Sequence, residues 1–144
     1  MSDKRFIDSN VAVYAYDTDE PEKQAVAQEI LRRGIEEDNV LLSAQVLGEF
    51  FNVVTRKIKN PMSADEAQEA IHCMSAFRCV DMDLPMVDRA IDFHRQYQLS
   101  YWDAMIVAAA ERGGCSGILS EDLNTGQKYS GILAVNPFVQ TMIR

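Results

Sequence analysis

The chain has 144 residues, of which 47% are hydrophobic and 25% charged, so it is long enough to bury one core and too hydrophobic to be disordered. The net charge of −8 argues against binding nucleic acid through a broad basic surface, although an acidic pocket that holds metal ions can still contact phosphate. No apolar run approaches a bilayer span and no apolar signal core follows the first residues, so we expect a cytoplasmic protein with no membrane contact.

Short apolar strands alternate with longer amphipathic helices along the chain. Strands are predicted at 5–8, 39–43, 79–83, 117–120 and 132–136. Helices are predicted at 22–37, 44–57, 64–77, 84–97 and 101–112, with a short terminal helix after Pro137, while 11–16 fits either helix or strand. This alternation is typical of an α/β fold with a mostly parallel sheet covered on both faces. No repeat or linker interrupts residues 1–144, so we expect a single domain.

The cysteines and histidines give little support for a metal site of their own. Cys73, Cys79 and Cys115 are widely spaced without a Cys-x-x-Cys pair, which argues against a disulfide framework and a zinc site. We therefore expect buried free thiols. His72 and His94 lie in predicted helices, and we interpret both as structural.

Four acidic residues lie where such a fold brings its elements together. Asp8 and Asp122 each follow a short apolar strand, and Glu49 and Asp103 each lie in an early turn of an amphipathic helix. The carboxyl ends of parallel strands form the edge at which ligands bind. Clustered carboxylates repel one another unless a cation lies between them, and hard oxygen ligands suit Mg²⁺ or Mn²⁺. The set predicts a divalent-metal site.

Each acid also has a structural interpretation, and the sequence physics leaves both open. Asp8 can cap the helix that follows it, and Glu49 can face solvent. Asp103 lies three residues after the capping candidate Ser100, and Asp122 can form a turn.

Short motifs surround the four acids, at residues 6–10, 44–50, 100–104 and 120–127. In order and spacing they resemble the motifs of PIN-domain nucleases, and within that family the VapC-type toxins of toxin–antitoxin pairs. The resemblance covers essentially the whole chain. It implies a three-layer fold with a central, mostly parallel sheet flanked by helices.

The resemblance also implies an activity, a cofactor and partners. The activity would be that of a metal-dependent endoribonuclease, the toxin of a type II pair, acting on RNA as a homodimer and blocked by a small antitoxin protein. Asp8, Glu49 and Asp103 would be the main catalytic acids around Mg²⁺ or Mn²⁺, and Asp122 a fourth. The polar support implied by the family would come from Ser9, Asn10 and Ser120. Glu121 lies beside Asp122, but the alignment through Ser120-x-Asp122 favours Asp122.

Two other functions remain open. A non-catalytic PIN-like module would bind a partner without cleaving it, but such modules commonly lose an acid and all four are present here. A phosphotransfer domain of the haloacid-dehalogenase type would need an Asp at the position of Asn10, and a receiver domain would need a late lysine at a strand end, whereas Lys128 follows a loop. Trp102, beside Asp103, either packs in a core or dimer interface or stacks on an RNA base, and packing is the commoner use of large aromatic residues.

Overall fold

The computed structural model describes residues 3–139, which form six strands and six helices. The strands are β1 Arg5–Ile7, β2 Val40–Ser43, β3 Arg78–Val80, β4 Gly117–Leu119, β5 Lys128–Tyr129 and β6 Ile132–Val135. The helices are α1 Ser9–Tyr14, α2 Pro21–Glu37, α3 Ala44–Arg56, α4 Ala64–Met74, α5 Leu84–Tyr97 and α6 Tyr101–Arg112.

One six-stranded sheet runs through the protein in the order β3-β2-β1-β4-β6-β5. All neighbours pair in parallel except β5 and β6, so the expected mostly parallel α/β fold, flanked by helices, is confirmed. From β1 the chain builds outwards through β2 and β3, then returns to place β4 on the other side of β1. Ligands bind at such a reversal, outside the carboxyl ends of the strands.

Burial explains why the central elements are the most apolar ones. Phe6 and Ile7 in β1 are fully buried because helices cover both faces of the sheet. In α6 every residue from 104 to 110 is buried, since this helix contacts four strands and α5. The amphipathic α3 buries Val46, Phe50 and Val54 and leaves its other face to solvent.

Capping by serine sets the first residue of three helices. Ser43 Oγ accepts a hydrogen bond from the Val46 amide at 3.3 Å, and Ser100 Oγ accepts one from the Asp103 amide at 3.1 Å. The predicted capping box at the start of α4 is present, because Ser63 and Glu66 each accept a bond from the other's amide. These side chains satisfy amides that have no partner within the helix.

Several element predictions differ from the structure. For 11–16, where helix and strand were both left open, the structure shows helix α1 and its final turn. Strand β5 was not predicted, because only two residues form it. The predicted helix 64–77 ends at Met74, and residues 137–139 form a turn and a bend rather than the start of a terminal helix. The rest of that terminal prediction, residues 140–144, lies outside the described residues.

The prediction of buried thiols is wrong for two of the three cysteines. Cys73 is exposed on α4 and Cys79 is exposed on the edge strand β3, because neither position faces the core. Cys115 is buried, and burial raises the pKa of its thiol to about 11. Among the helices between residues 3 and 139, none combines the length and the apolar character needed to cross a bilayer.

Candidate metal centre

The carboxyl ends of β1 and β4 are joined directly at the reversal in strand order. The Asp8 amide donates to the Leu119 carbonyl at 3.0 Å, which places Asp8 at the sheet edge, beside the loop that follows β4. Asp8 also caps α1, because its Oδ1 accepts a 2.7 Å bond from the Ser9 amide. The capping role and the place at the sheet edge therefore belong to the same residue.

Ser120 connects Asp8 to the loop that carries Asp122. Its buried hydroxyl donates to Asp8 Oδ2 at 2.7 Å and accepts from the Asp122 amide at 3.0 Å. Both oxygens of Asp8 are thus held, one by a backbone amide and one by a hydroxyl. The side chain of Asp8 is fixed in position although it is buried.

Three of the four predicted acids meet at this edge. One carboxylate oxygen each from Asp8, Asp103 and Asp122 lie within 4.8 Å of one another, and we call these residues the carboxylate triad. Glu49 lines the same pocket, of about 320 Å³, but is not part of this triad. Its Oε2 accepts a 3.1 Å bond from Gln45 Nε2, one helical turn earlier in α3.

The electrostatics of the triad favour a cation. Burial raises the pKa of Asp8 from 3.8 to about 6; the hydrogen bonds from Ser120 and Ser9 lower it, and the negative charges of Asp122 and Glu49 raise it further. Burial also raises the pKa of Asp103, with the charge of Asp122 as the next cause. None of the ion pairs between described residues includes one of these four carboxylates. The hard oxygen ligands and the uncompensated charge fit a divalent metal ion.

Asn10 holds the loop after β4 from the other side. Its Oδ1 accepts a hydrogen bond from the Glu121 amide at 3.1 Å, and its Nδ2 donates a longer one to Asp122 Oδ2 at 3.4 Å. Ser9, the third residue expected to give polar support, lines the pocket and provides the amide that binds Asp8. The residues named by the sequence motifs are therefore neighbours, while their roles as ligands and catalysts stay predictions.

Glu121 and Asp122 are adjacent in sequence but have different partners. Glu121 accepts hydrogen bonds from Lys23 Nζ at 2.6 Å and from the Tyr14 hydroxyl at 2.9 Å. The hydrogen bonds that Lys23 donates to Glu121 and to the Tyr14 hydroxyl raise the pKa of Lys23 above its usual value. Lys23 binds one oxygen of Glu121 and the Tyr14 hydroxyl binds the other, whereas Asp122 contributes to the triad.

The sequence reasoning missed a polar stripe along α3 that borders the pocket. The pocket is lined on this side by Gln45, Glu49, Asn52 and Lys57, the last of which caps the end of α3. Their spacings of about one and two helical turns place them on one face of the helix, so the stripe was readable from the spacing around Glu49. Trp102 also lines the pocket and is 58% exposed, so the expected packing in the core is wrong, while packing in a dimer interface and stacking on a base stay predictions.

The fold and the carboxylate triad define an α/β protein whose site has the ligand set of a divalent-metal centre. The family model of the PIN domain matches residues 5–128. The chain therefore belongs to the PIN domain family, and the resemblance seen in its motifs is confirmed. A comparison with curated proteins finds no match.

Solved structures with the same fold come from several bacteria. A toxin–antitoxin complex from Klebsiella pneumoniae aligns with a TM-score of 0.69 at 14% identity, covering 93% of this chain and 98% of that chain. The Mycobacterium tuberculosis toxin VapC20, described as cleaving the sarcin–ricin loop, aligns with a TM-score of 0.63 at 18% identity over 83% of this chain and 90% of that one. A DNA-bound VapBC complex from Salmonella typhimurium aligns with a TM-score of 0.65 at 15% identity, covering 93% and 97%. At these identities the likeness establishes the fold.

Proposed function

We propose that this protein is a metal-dependent endoribonuclease, the toxin of a type II toxin–antitoxin pair. The observation that carries the proposal is the convergence of Asp8, Asp103 and Asp122 within 4.8 Å at the strand ends of a PIN domain. The structural neighbours include a toxin described as cleaving the sarcin–ricin loop and a toxin–antitoxin complex, and both support the same function. The proposal treats residues 1–144 as one PIN-like domain.

In this proposal Asp8, Asp103 and Asp122 would hold Mg²⁺ or Mn²⁺, with Glu49 completing the acidic lining. A divalent ion bound there lowers the pKa of a water ligand and stabilises negative charge on a phosphate. The protein's own contribution begins with Ser120 and the Ser9 amide, which bind both oxygens of Asp8 and favour its ionised, metal-binding form.

The remaining groups orient the substrate side of the pocket. Asn10 fixes the Asp122 loop, so that the third carboxylate does not have to be ordered when the metal binds. Gln45 binds Oε2 of Glu49, and among the described residues no donor binds Oε1. Glu49 would therefore accept a proton from the attacking water, with Asp103 as the alternative acceptor. No histidine takes part in this scheme.

Cleavage of a panel of structured and single-stranded RNAs, with Mn²⁺ or with EDTA, tests the proposal. We expect metal-dependent cleavage by the wild type and a loss of at least about 100-fold in the Asp103→Asn variant. Asp88→Asn is the matched control, because it removes the same charge from an exposed position on α5. Equal activity of wild type and Asp103→Asn would contradict the proposal. Mn²⁺ binding without cleavage of any RNA would favour the non-catalytic module.

The partners follow from the same proposal. We expect a cytoplasmic homodimer and an antitoxin protein that covers the carboxylate pocket, in keeping with the toxin–antitoxin complexes among the structural neighbours. Light scattering of the purified chain tests for the homodimer. Inhibition of RNA cleavage by the co-expressed product of a neighbouring gene tests for the antitoxin.

A further inference from the structure

Trp102 occupies an unusual place for the one tryptophan of the chain. It lies in the first turn of α6, directly before Asp103, and its side chain borders the carboxylate pocket with 58% of its surface exposed. A large aromatic side chain normally buries most of its area, so exposure of this extent at a pocket rim points to a ligand or partner.

The surroundings of Trp102 hold it in this exposed position. The Tyr101 ring contacts it edge to face, with centroids 4.9 Å apart and planes at 75°. Gln45 Nε2 donates to the Trp102 carbonyl at 3.3 Å, which ties the start of α6 to the polar stripe of α3. The indole ring is therefore held beside the triad with an exposed surface on which another ring could stack.

A single cationic side chain, Lys57, is found among the described residues that line the pocket. It is exposed at the end of α3, where α3 presents its polar stripe. In a protein with a net charge of −8, a lysine at the rim of an acidic pocket is a localised contact for a phosphate group. The indole and the lysine thus line the same pocket as the carboxylates.

We propose that Trp102 and Lys57 form a subsite for one unstacked nucleotide of single-stranded RNA, with its base on the indole and its phosphate at the lysine ammonium. The inference rests on the ribonuclease function proposed above and adds the two residues that would hold a nucleotide beside the triad. A base inside a duplex has both faces covered by its neighbours, so only a single strand or a loop with a splayed base can occupy the indole. A pocket of about 320 Å³ lies at the small end of ligand pockets, which suits one nucleotide.

Because Trp102 is the only tryptophan, its emission reports directly on this subsite. The experiment titrates the full-length protein with a short single-stranded RNA, and separately with the duplex of the same sequence. Ca²⁺ replaces Mg²⁺ as an oxygen-liganded cation, and a gel verifies that the RNA stays intact. We expect saturable quenching by the single strand and little by the duplex. Equal quenching by both would overturn the inference.

Variants then measure how much the subsite contributes. With a labelled RNA, we expect Trp102→Ala to raise the Kd about tenfold and Trp102→Phe to retain most of the affinity, since any aromatic ring can stack. Lys57→Ala is expected to reduce the slope of log affinity against log salt by about 0.7. Lys59→Ala is the matched control, because Lys59 is exposed and pairs with Asp19 outside the pocket. Calorimetric Mn²⁺ binding checks that each variant keeps an intact triad.

The outcomes separate this inference from the proposed function. If the wild type cleaves RNA and Trp102→Ala has the same Kd and KM, the subsite is refuted while the nuclease stands. If Trp102→Ala converts a dimer to a monomer in light scattering, Trp102 belongs to an interface between copies of the chain and the inference is overturned. If the wild type binds Mn²⁺ but cleaves no RNA, the nuclease proposal is refuted, and the subsite inference that rests on it is refuted too.

Discussion

Replacing Asp8 with asparagine is expected to stabilise the metal-free protein at neutral and alkaline pH. Asp8 is only 3% exposed, and burial raises its pKa from 3.8 to about 6. A carboxyl group with a raised pKa binds protons more tightly in the folded state, so its stabilising effect is complete below about pH 4 and is lost as the pH rises through about 6. The difference of about 2 pH units corresponds to about 3 kcal/mol at pH 8 and about 1.5 kcal/mol at pH 5.

Asparagine has the shape of aspartate and does not ionise, so it removes this cost. Ser120 Oγ keeps a lone pair with which it can accept from the new amide group. In EDTA at pH 8 we expect a Tm about 10 °C above that of the wild type, and a smaller difference at pH 5. With Mn²⁺ at about 100 times its Kd, the wild type gains about 2.7 kcal/mol and the variant gains little, which closes or reverses the difference.

Thermal unfolding followed by circular dichroism measures these shifts, with EDTA and Mn²⁺ compared at each pH. The control is again Asp88→Asn, because it changes the net charge equally from an exposed position. The reasoning is refuted if Asp8→Asn in EDTA at pH 8 is no more stable than the wild type. It is also refuted if Mn²⁺ stabilises both proteins equally, since Asp8 would then not be a ligand.

Four further substitutions test the structure around the site and the packing of the helices. Ser120→Ala removes the hydrogen bond that lowers the pKa of Asp8, so the metal-free pKa in carboxyl NMR is expected to rise above 6 and calorimetric Mn²⁺ affinity to fall about tenfold. Gly34→Ala is expected to lower the free energy of unfolding, measured by urea denaturation, by about 1–3 kcal/mol, because the alanine Cβ would lie 2.5 Å from a methyl of the buried Val40. Gly48→Ala, in open space on α3, is expected to raise it by about 0.5–1 kcal/mol. Lys23→Met is expected to lower the free energy of unfolding by about 0.5–1 kcal/mol and to weaken Mn²⁺ binding a few-fold, since the loop after β4 loses its ion pair. Unchanged Mn²⁺ affinity would show that the ion pair acts on stability alone.

The sequence predicted the elements whose local signals agree with their tertiary surroundings. The bounds of α5 and α6 were predicted to the residue, because Asp83 and Ser100 cap them and their apolar spacing matches the buried face. Strand β5 carried no comparable signal. Its two residues pair with β6 through a tight turn in which Ser130 and Gly131 both have positive φ, and only contact with the sheet makes it a strand.

The candidate site shows the same division between local and distant causes. Its acids could be named from short motifs, because each lies at a strand end or in a first helical turn. The choice between Glu121 and Asp122 could not be derived from local sequence physics. The two residues differ because Tyr14 and Lys23, about 100 residues earlier in the chain, bind both oxygens of Glu121, whereas Asp122 lines the pocket.

The structural and functional interpretations of the acids turn out to be compatible, and the two serine caps show why. In α4, Glu66 returns the bond of Ser63 by accepting from its amide at 2.9 Å, so that carboxylate is used within the helix. In α6 the pattern is the same, but Asp103 is one methylene shorter, and the described residues show no bond from the Ser100 amide to its carboxylate. The cap itself uses the Asp103 amide, and the Ser100 side chain also interacts with the carboxylate, which lowers the pKa of Asp103 against the effect of burial. A first-turn aspartate can therefore start a helix with its backbone while its side chain faces the pocket, so a capping pattern is no argument against a ligand role.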